Sequence, residues 1–375
     1  MPPPTDSQFV TLESPTGGRN PVGFLPCQGF YVHPRGQRPR TALIATHYNV
    51  DFSQHYLAPY MAERGFGFLG WNTRFRGAET YFLLEHALVD IGAGVRWLRE
   101  EAGVEEVVLL GNSGGGSLMA AYQSQASEPS IRPAVGLPLP DAVLDLPLAD
   151  LYVSLAAHLG RPEILTSWLD PSMTDENDPL SLDPSLDMYN PANGPPYAPD
   201  FVERYRASQR ARNDRITEWA KAELERLRQN GAFDRLFTLQ RTWADLRFLD
   251  GAIDPSERPI GLCLAGDAKR ANYGAFGIGG CNTLRTWLSM WSLRESQCNG
   301  IPHLKQIDLP ALVIQSTGDV GCFISDGRAI VDNLASQDKR LELVKGDHYL
   351  VEPATARDEV ADLIAGWLAE RCQKR

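Results

Sequence analysis

Nowhere in the 375 residues do eighteen apolar residues run together, which excludes a membrane-spanning helix. The beginning of the chain, MPPPTDSQFV, lacks the basic stretch and apolar run of a secretory leader. Positive charge is in deficit, 36 Lys plus Arg against 47 Asp plus Glu, for a net charge of −11. Nucleic acids and anionic membrane surfaces select basic patches, so neither is an expected partner. The six cysteines (Cys27, Cys263, Cys281, Cys298, Cys322, Cys372) form no C-x-x-C pair and no cluster with histidine. Zinc is therefore not expected, and reduced cytoplasmic thiols are. What remains is an acidic globular composition, 43% hydrophobic and 22% charged, with residues enough for a large core.

Strand-like pieces at Phe9 to Leu12 and Gly29 to His33 precede a strict alternation of strands and helices. Thr41 to His47 reads as a buried strand, Ser53 to Arg64 as a helix stopped by Gly65, and Phe66 to Trp71 as the next strand. Leu84, Leu88, Ile91, Val95 and Leu98 mark one helical stripe, Glu106 to Leu110 a strand, and Ala142 to Leu146 a further strand. Such alternation implies a parallel sheet with helices on both faces. The pattern resumes only at Ala311 to Gln315, followed by a strand at Leu341 to Val344 and a helix whose Val360, Leu363, Ile364, Trp367 and Leu368 share a face. The intervening stretch is too long for a crossover and reads as an insertion over the sheet. Seven prolines between positions 170 and 199 make part of it irregular, whereas Phe201 to Leu227 reads as a helix.

The strand EVVLL runs into Gly111-Asn112-Ser113-Gly114-Gly115 and then into a helix. A serine at the apex of so sharp a turn holds a strained backbone, and small residues two positions either side let strand and helix approach. A phosphate loop would need lysine here, and a dinucleotide fingerprint would need glycine at 113; both are missing. A serine hydroxyl is a poor nucleophile and needs a base oriented by an acid. Asp319 follows strand ALVIQ and His348 follows strand LELV, so both lie at the sheet edge that carries Ser113. The other histidines (His33, His47, His55, His86, His158, His303) precede the acid strand or fall in the insertion. Asp145 is the competing acid, and Asp347 adjoins the base but should point away. For the oxyanion, the Gly114 amide is one donor; the second is expected from Tyr48, by its amide or hydroxyl, with Asn49 competing.

These residues, in GNSGG, STGD and GDHYL with their preceding strands, resemble the α/β-hydrolase superfamily over about residues 25 to 150 and 305 to 375. The resemblance implies a mostly parallel eight-stranded sheet with helices on both faces and a large, mainly helical lid inserted after strand 6. The expected division is a core of residues 1–147 and 305–375 with a lid of 148–304. It also implies cofactor-independent hydrolysis through an acyl-enzyme. The chain departs from the family in lacking a glycine after His47 and in the size of the lid. The expected function is a serine hydrolase of carboxylic esters, lactones and thioesters included, of bulky apolar or aromatic small molecules, with self-association compatible with the sequence. The same triad would serve an amidase, peptidase or carbon–carbon bond hydrolase, and a non-catalytic small-molecule sensor is the alternative from another class. Arg74 and Arg76, after the second core strand, are candidates for a substrate carboxylate.

Overall fold

The computed structural model describes residues 4–17 and 26–372. Eight strands form one sheet: β1 (Thr5–Leu12), β2 (Cys27–Pro34), β3 (Thr41–Ala45), β4 (Gly67–Asn72), β5 (Glu106–Asn112), β6 (Leu151–Leu155), β7 (Ala311–Ser316) and β8 (Lys339–Val344). Their spatial order is β1-β2-β4-β3-β5-β6-β7-β8. From β4 to β8 every pairing is parallel, while β2 runs antiparallel to both β1 and β4. Every residue of β3, β4, β5, β6 and β7 is buried, as strands covered on both faces must be.

Period-two alternation sorts these strands between two cores. Ile44, Leu109 and Val313 face one side, where α2 (Leu84–Glu100) and α3 (Gly115–Ser127) supply Ile91, Val95 and Leu118. Leu43, Val108 and Leu312 face the other, closed by Met61 of α1 (Ala58–Glu63) and by Val360, Ile364 and Trp367 of the C-terminal helix Ala356–Cys372. Helix α1 is shorter than the predicted Ser53 to Arg64. Pro59 occupies its first turn, and a proline ring there blocks extension toward residue 55.

The predicted strand at Ala142 to Leu146 is corrected. Asp141–Asp145 is a 3-10 turn with Leu144 exposed, and the sixth strand is Leu151–Leu155. Pro140 and Pro147 flank the turn, and prolines cannot donate to a central ladder. The insertion between β6 and β7 therefore spans residues 156–310. Its longest helices are α4 (Arg161–Trp168) and α5 (Pro199–Gln229), followed by short helices and two small two-stranded ribbons. The proline-rich part between them contains no helix or strand. It is ordered locally by carboxylate and amide side chains: Asp170, Asp175, Asp178, Asp183, Asp187 and Asn190 each accept from the backbone N–H two residues on. No helix among the described residues is long and apolar enough to cross a membrane.

The corrected strand can be checked by truncation. Leu151→Ala should cost about 2–5 kcal/mol in chemical unfolding, because it opens a cavity in the sheet. Leu144→Ala should stay within about 0.5 kcal/mol, as surface changes do. The reverse ranking of the two midpoints would restore the original strand.

Candidate active site

Strand β5 ends at Asn112, and α3 begins at Gly115. Between them Ser113 adopts φ = 55°, a left-handed conformation that side-chain-bearing residues rarely take. The turn is tight because strand and helix almost touch. A Cβ on Gly111 would lie 2.6 Å from the Gly116 Cα, and one on Gly115 would lie 2.2 Å from the Thr46 carbonyl oxygen. The Ser113 amide donates to the Leu155 carbonyl at 3.0 Å, tying the turn to β6. Asn112 adds a second tie through Nδ2 to the same carbonyl at 2.9 Å. Its Oδ1 is held by His55 Nε2 at 3.1 Å and by the Tyr56 hydroxyl. Burial lowers the His55 pKa to about 4, so this imidazole is a neutral donor that braces the turn.

The structure brings Ser113, His348 and Asp319 together. Ser113 Oγ lies 3.1 Å from His348 Nε2, and His348 Nδ1 lies 2.7 Å from Asp319 Oδ2. Asp319 is buried, and its Oδ1 accepts from the amides of Gly321 (2.7 Å) and Cys322 (3.0 Å). An ionised Asp319 makes Nδ1 the donor, which leaves Nε2 to accept the serine proton. Burial alone would lower the His348 pKa, but the charge and hydrogen bond of Asp319, with Asp347 adding to them, raise it above its ordinary value. Asp347 does point elsewhere, its Oδ1 accepting from the amides of Tyr349 and Val351. Asp145 is exposed and paired with Arg96, so the competing acid is removed. The Cys322 Sγ completes a cluster with Asp319 and His348 whose donor atoms lie within 4.8 Å of one another. Burial first, then the Asp319 charge, pushes this thiol well up. It is a neutral neighbour, and the carboxylate and imidazole are already engaged with each other.

The oxyanion residues are placed less simply. Gly114 lies where α3 begins, and a Cβ there would stand 2.7 Å from His47 Nε2 and 3.3 Å from the Arg161 guanidinium carbon. The Tyr48 hydroxyl shares a hydrogen bond with Ser117 Oγ at 3.0 Å, and its ring is fully buried against Phe82. That hydroxyl is engaged on α3, which leaves the Tyr48 amide. The Asn49 side chain is engaged as well, accepting from Arg161 Nη2 at 3.2 Å and donating to Glu79 Oε2 at 2.8 Å. Glu79 in turn accepts from the Gly279 amide of the insertion through Oε1.

A cavity of about 390 Å³ opens above Ser113 and His348. The core contributes His47, Asn49, Phe52 and Cys322; the insertion contributes His158, Arg161, Ile164, Trp168, Trp243 and Phe276. Trp168 and Trp243 stack with ring centroids 4.6 Å apart, giving one apolar wall. Neither predicted arginine faces this space. Arg74 binds buried Asp90, its Nε and amide both reaching Oδ2 at 2.9 Å, and Arg76 pairs with Asp51. His47, His158 and Arg161 were missed. Each follows the carboxyl end of a central strand, but with the sixth strand placed too early, His158 and Arg161 read as remote residues of the insertion.

No protein-family model matches the sequence. No curated protein is detectably similar to it. Solved structures are similar in fold. The α/β hydrolase GrgF from Penicillium sp. sh18 is 13% identical, with 97% of this chain and 98% of that one covered and a TM-score of 0.55. DcsB in complex with its substrate analogue is 12% identical at a TM-score of 0.52, covering 97% and 99%. Est1E from Butyrivibrio proteoclasticus with ferulic acid bound is 10% identical at 0.51, covering 97% and 100%.

The electrostatic balance at His348 can be measured by NMR titration of the imidazole. In the wild-type chain it should keep its proton above the ordinary value of about 6.5. Because the folded value is raised, this group's contribution to stability is full below that pH and is lost as pH rises through the folded value. In Asp319→Asn burial is opposed only by the weaker Asp347 charge, and the titration should move down from the wild-type value. An unchanged titration would show that Asp319 does not set it.

Proposed function

We propose that this chain, whose fold is that of the α/β-hydrolases, is a serine hydrolase of carboxylic esters, with Ser113 as nucleophile, His348 as base and Asp319 as orienting acid. The observation that carries the reading is the unbroken chain of hydrogen bonds, 2.7 Å and 3.1 Å, from a buried carboxylate to a serine hydroxyl at the floor of a cavity.

Ser113 attacks the ester carbonyl as His348 Nε2 takes its proton. The imidazolium, stabilised by Asp319, returns that proton to the leaving alcohol. Water then attacks the acyl-enzyme by the same route, releasing the acid and the free serine. Charge on the tetrahedral oxygen is met by the amides of Gly114 and Tyr48. His47 adds a third donor to this reading: its Nδ1 accepts from the amide of Val50 at 3.3 Å, so Nε2 carries the proton and faces Gly114. Burial, then the nearby Arg161 charge, lowers the His47 pKa well below its usual value, which keeps this ring a neutral donor rather than a second base. The aromatic wall of the insertion, acting as lid, favours an apolar substrate body. The reading requires no cofactor or metal.

Ser113→Ala should abolish labelling by a fluorophosphonate and lower ester turnover by about 10⁴-fold or more, since no other group can form the acyl-enzyme. The pH dependence of kcat/KM should rise through a value above 6.5, where His348 loses its proton. Retained labelling in the alanine variant would reject the assignment. Amides matched to the best ester should react more slowly.

A further inference from the structure

Arg161 is a buried cation without a partner of opposite charge. It opens α4, immediately after β6, and lines the cavity above Ser113 with only 4% of its surface exposed. Among the described residues its guanidinium makes one hydrogen bond, to the neutral Asn49 side chain, and no ion pair. Its Nε is buried and has no acceptor at all. Glu79 is the nearest candidate counter-charge, yet Asn49 stands between the two, bonded to each. Other polar groups around it are histidines: His47, which presents Nε2 beside the same Gly114, and His158, whose buried Nδ1 also lacks a partner. The ring faces of Tyr48 and Trp291, 4.6 and 5.2 Å from the guanidinium carbon, hold it in place and offer only weak electrostatic compensation.

An isolated charge in such a place is costly unless something pairs with it. A guanidinium, unlike an ammonium, presents a planar fork of N–H groups that matches a carboxylate. Two carboxylates share the cavity wall with Arg161: Asp51 is paired with Arg76, and Glu79 acts on Arg161 only across Asn49, with no ion pair between them. We propose that Arg161 seats a carboxylate carried by the ester substrate itself, within a few atoms of the scissile carbonyl, so that the enzyme's substrates are monoesters of dicarboxylic acids. The inference rests on Ser113 being the nucleophile and adds the substrate class. The carboxylate docks against Arg161 and His158, and the apolar remainder lies along Trp168 and Trp243.

The test uses the intact chain and two pairs of probes: monoethyl succinate and monoethyl glutarate, each against its neutral carboxamide counterpart, ethyl succinamate and ethyl glutaramate. Each is scored for turnover and for its ability to retard fluorophosphonate labelling of Ser113. At least one acid should protect at a concentration tenfold or more below its amide, with the same preference in kcat/KM where turnover occurs. Arg161→Gln should bring that ratio to about one, and Arg161→Lys should restore part of it. Equal protection by acid and amide in the wild-type chain overturns the proposal whether or not the variants fold. A variant that lowers labelling for all probes while leaving the ratio intact also overturns it, and would place Arg161 at the oxyanion instead. If the wild-type chain is not labelled at all, the nucleophile assignment has failed rather than the carboxylate seat.

Discussion

The contact on which the site depends is the near-touch of β5 and α3 around Ser113. A polypeptide can pass from a central strand into a helix in two residues only if no side chain stands between them. Gly111 leaves that gap against the backbone of Gly115 and Gly116, whose own missing side chains clear Thr46 and Ala157, and the backbone of Ser113 takes the left-handed conformation that closes it. The strain is held from three sides: the Leu155 carbonyl on β6, the Asn112 side chain, and the neutral His55 behind it. Local strain of this kind persists only where its surroundings over-determine it. The result is a hydroxyl lifted clear of the sheet at the edge where the other strands end.

Everything chemical in the protein then follows from where strands stop. Strand β3 delivers His47 and Tyr48, β5 delivers Ser113, β6 delivers His158 and Arg161, β7 delivers Asp319, and the turn after β8 delivers His348. In a parallel sheet all these ends lie on one rim, so residues hundreds of positions apart meet without any long-range design beyond the sheet itself. The insertion adds a roof with an aromatic wall on one side, while the core side remains polar. The insertion supplies Arg161 as well as that wall, so the guanidinium and the two indoles line the cavity from the same segment.

Much of this was legible in the residues. Buried parallel strands announce themselves as unbroken apolar runs, and TALIA, EVVLL and ALVIQ carried the architecture. The order of Ser113, Asp319 and His348 could be read because each sits directly after such a run. The sixth strand was misread because AVLDL and LYVSL are two short apolar runs within a few residues, and only their burial separates them: Leu144 faces solvent while LYVSL is covered throughout. That single slip hid Arg161, since a residue cannot be recognised as lying on the rim when its strand is misplaced. The fate of Arg74 was illegible for a different reason. Its partner Asp90 lies on α2, and pairing between a loop arginine and a helical aspartate leaves no periodic trace in sequence.

The bond from the Gly279 amide to Glu79 joins roof to wall at a carboxylate that also anchors Asn49, and through it Arg161. Burial already pushes the Glu79 pKa upward, with Arg161 opposing. Any outward swing of the GAFGIGG segment strips that carboxylate of a donor and lets solvent reach it. The roof is thus fastened to the wall at the same carboxylate that fixes the amide beside the guanidinium, so one side chain sets the position of both.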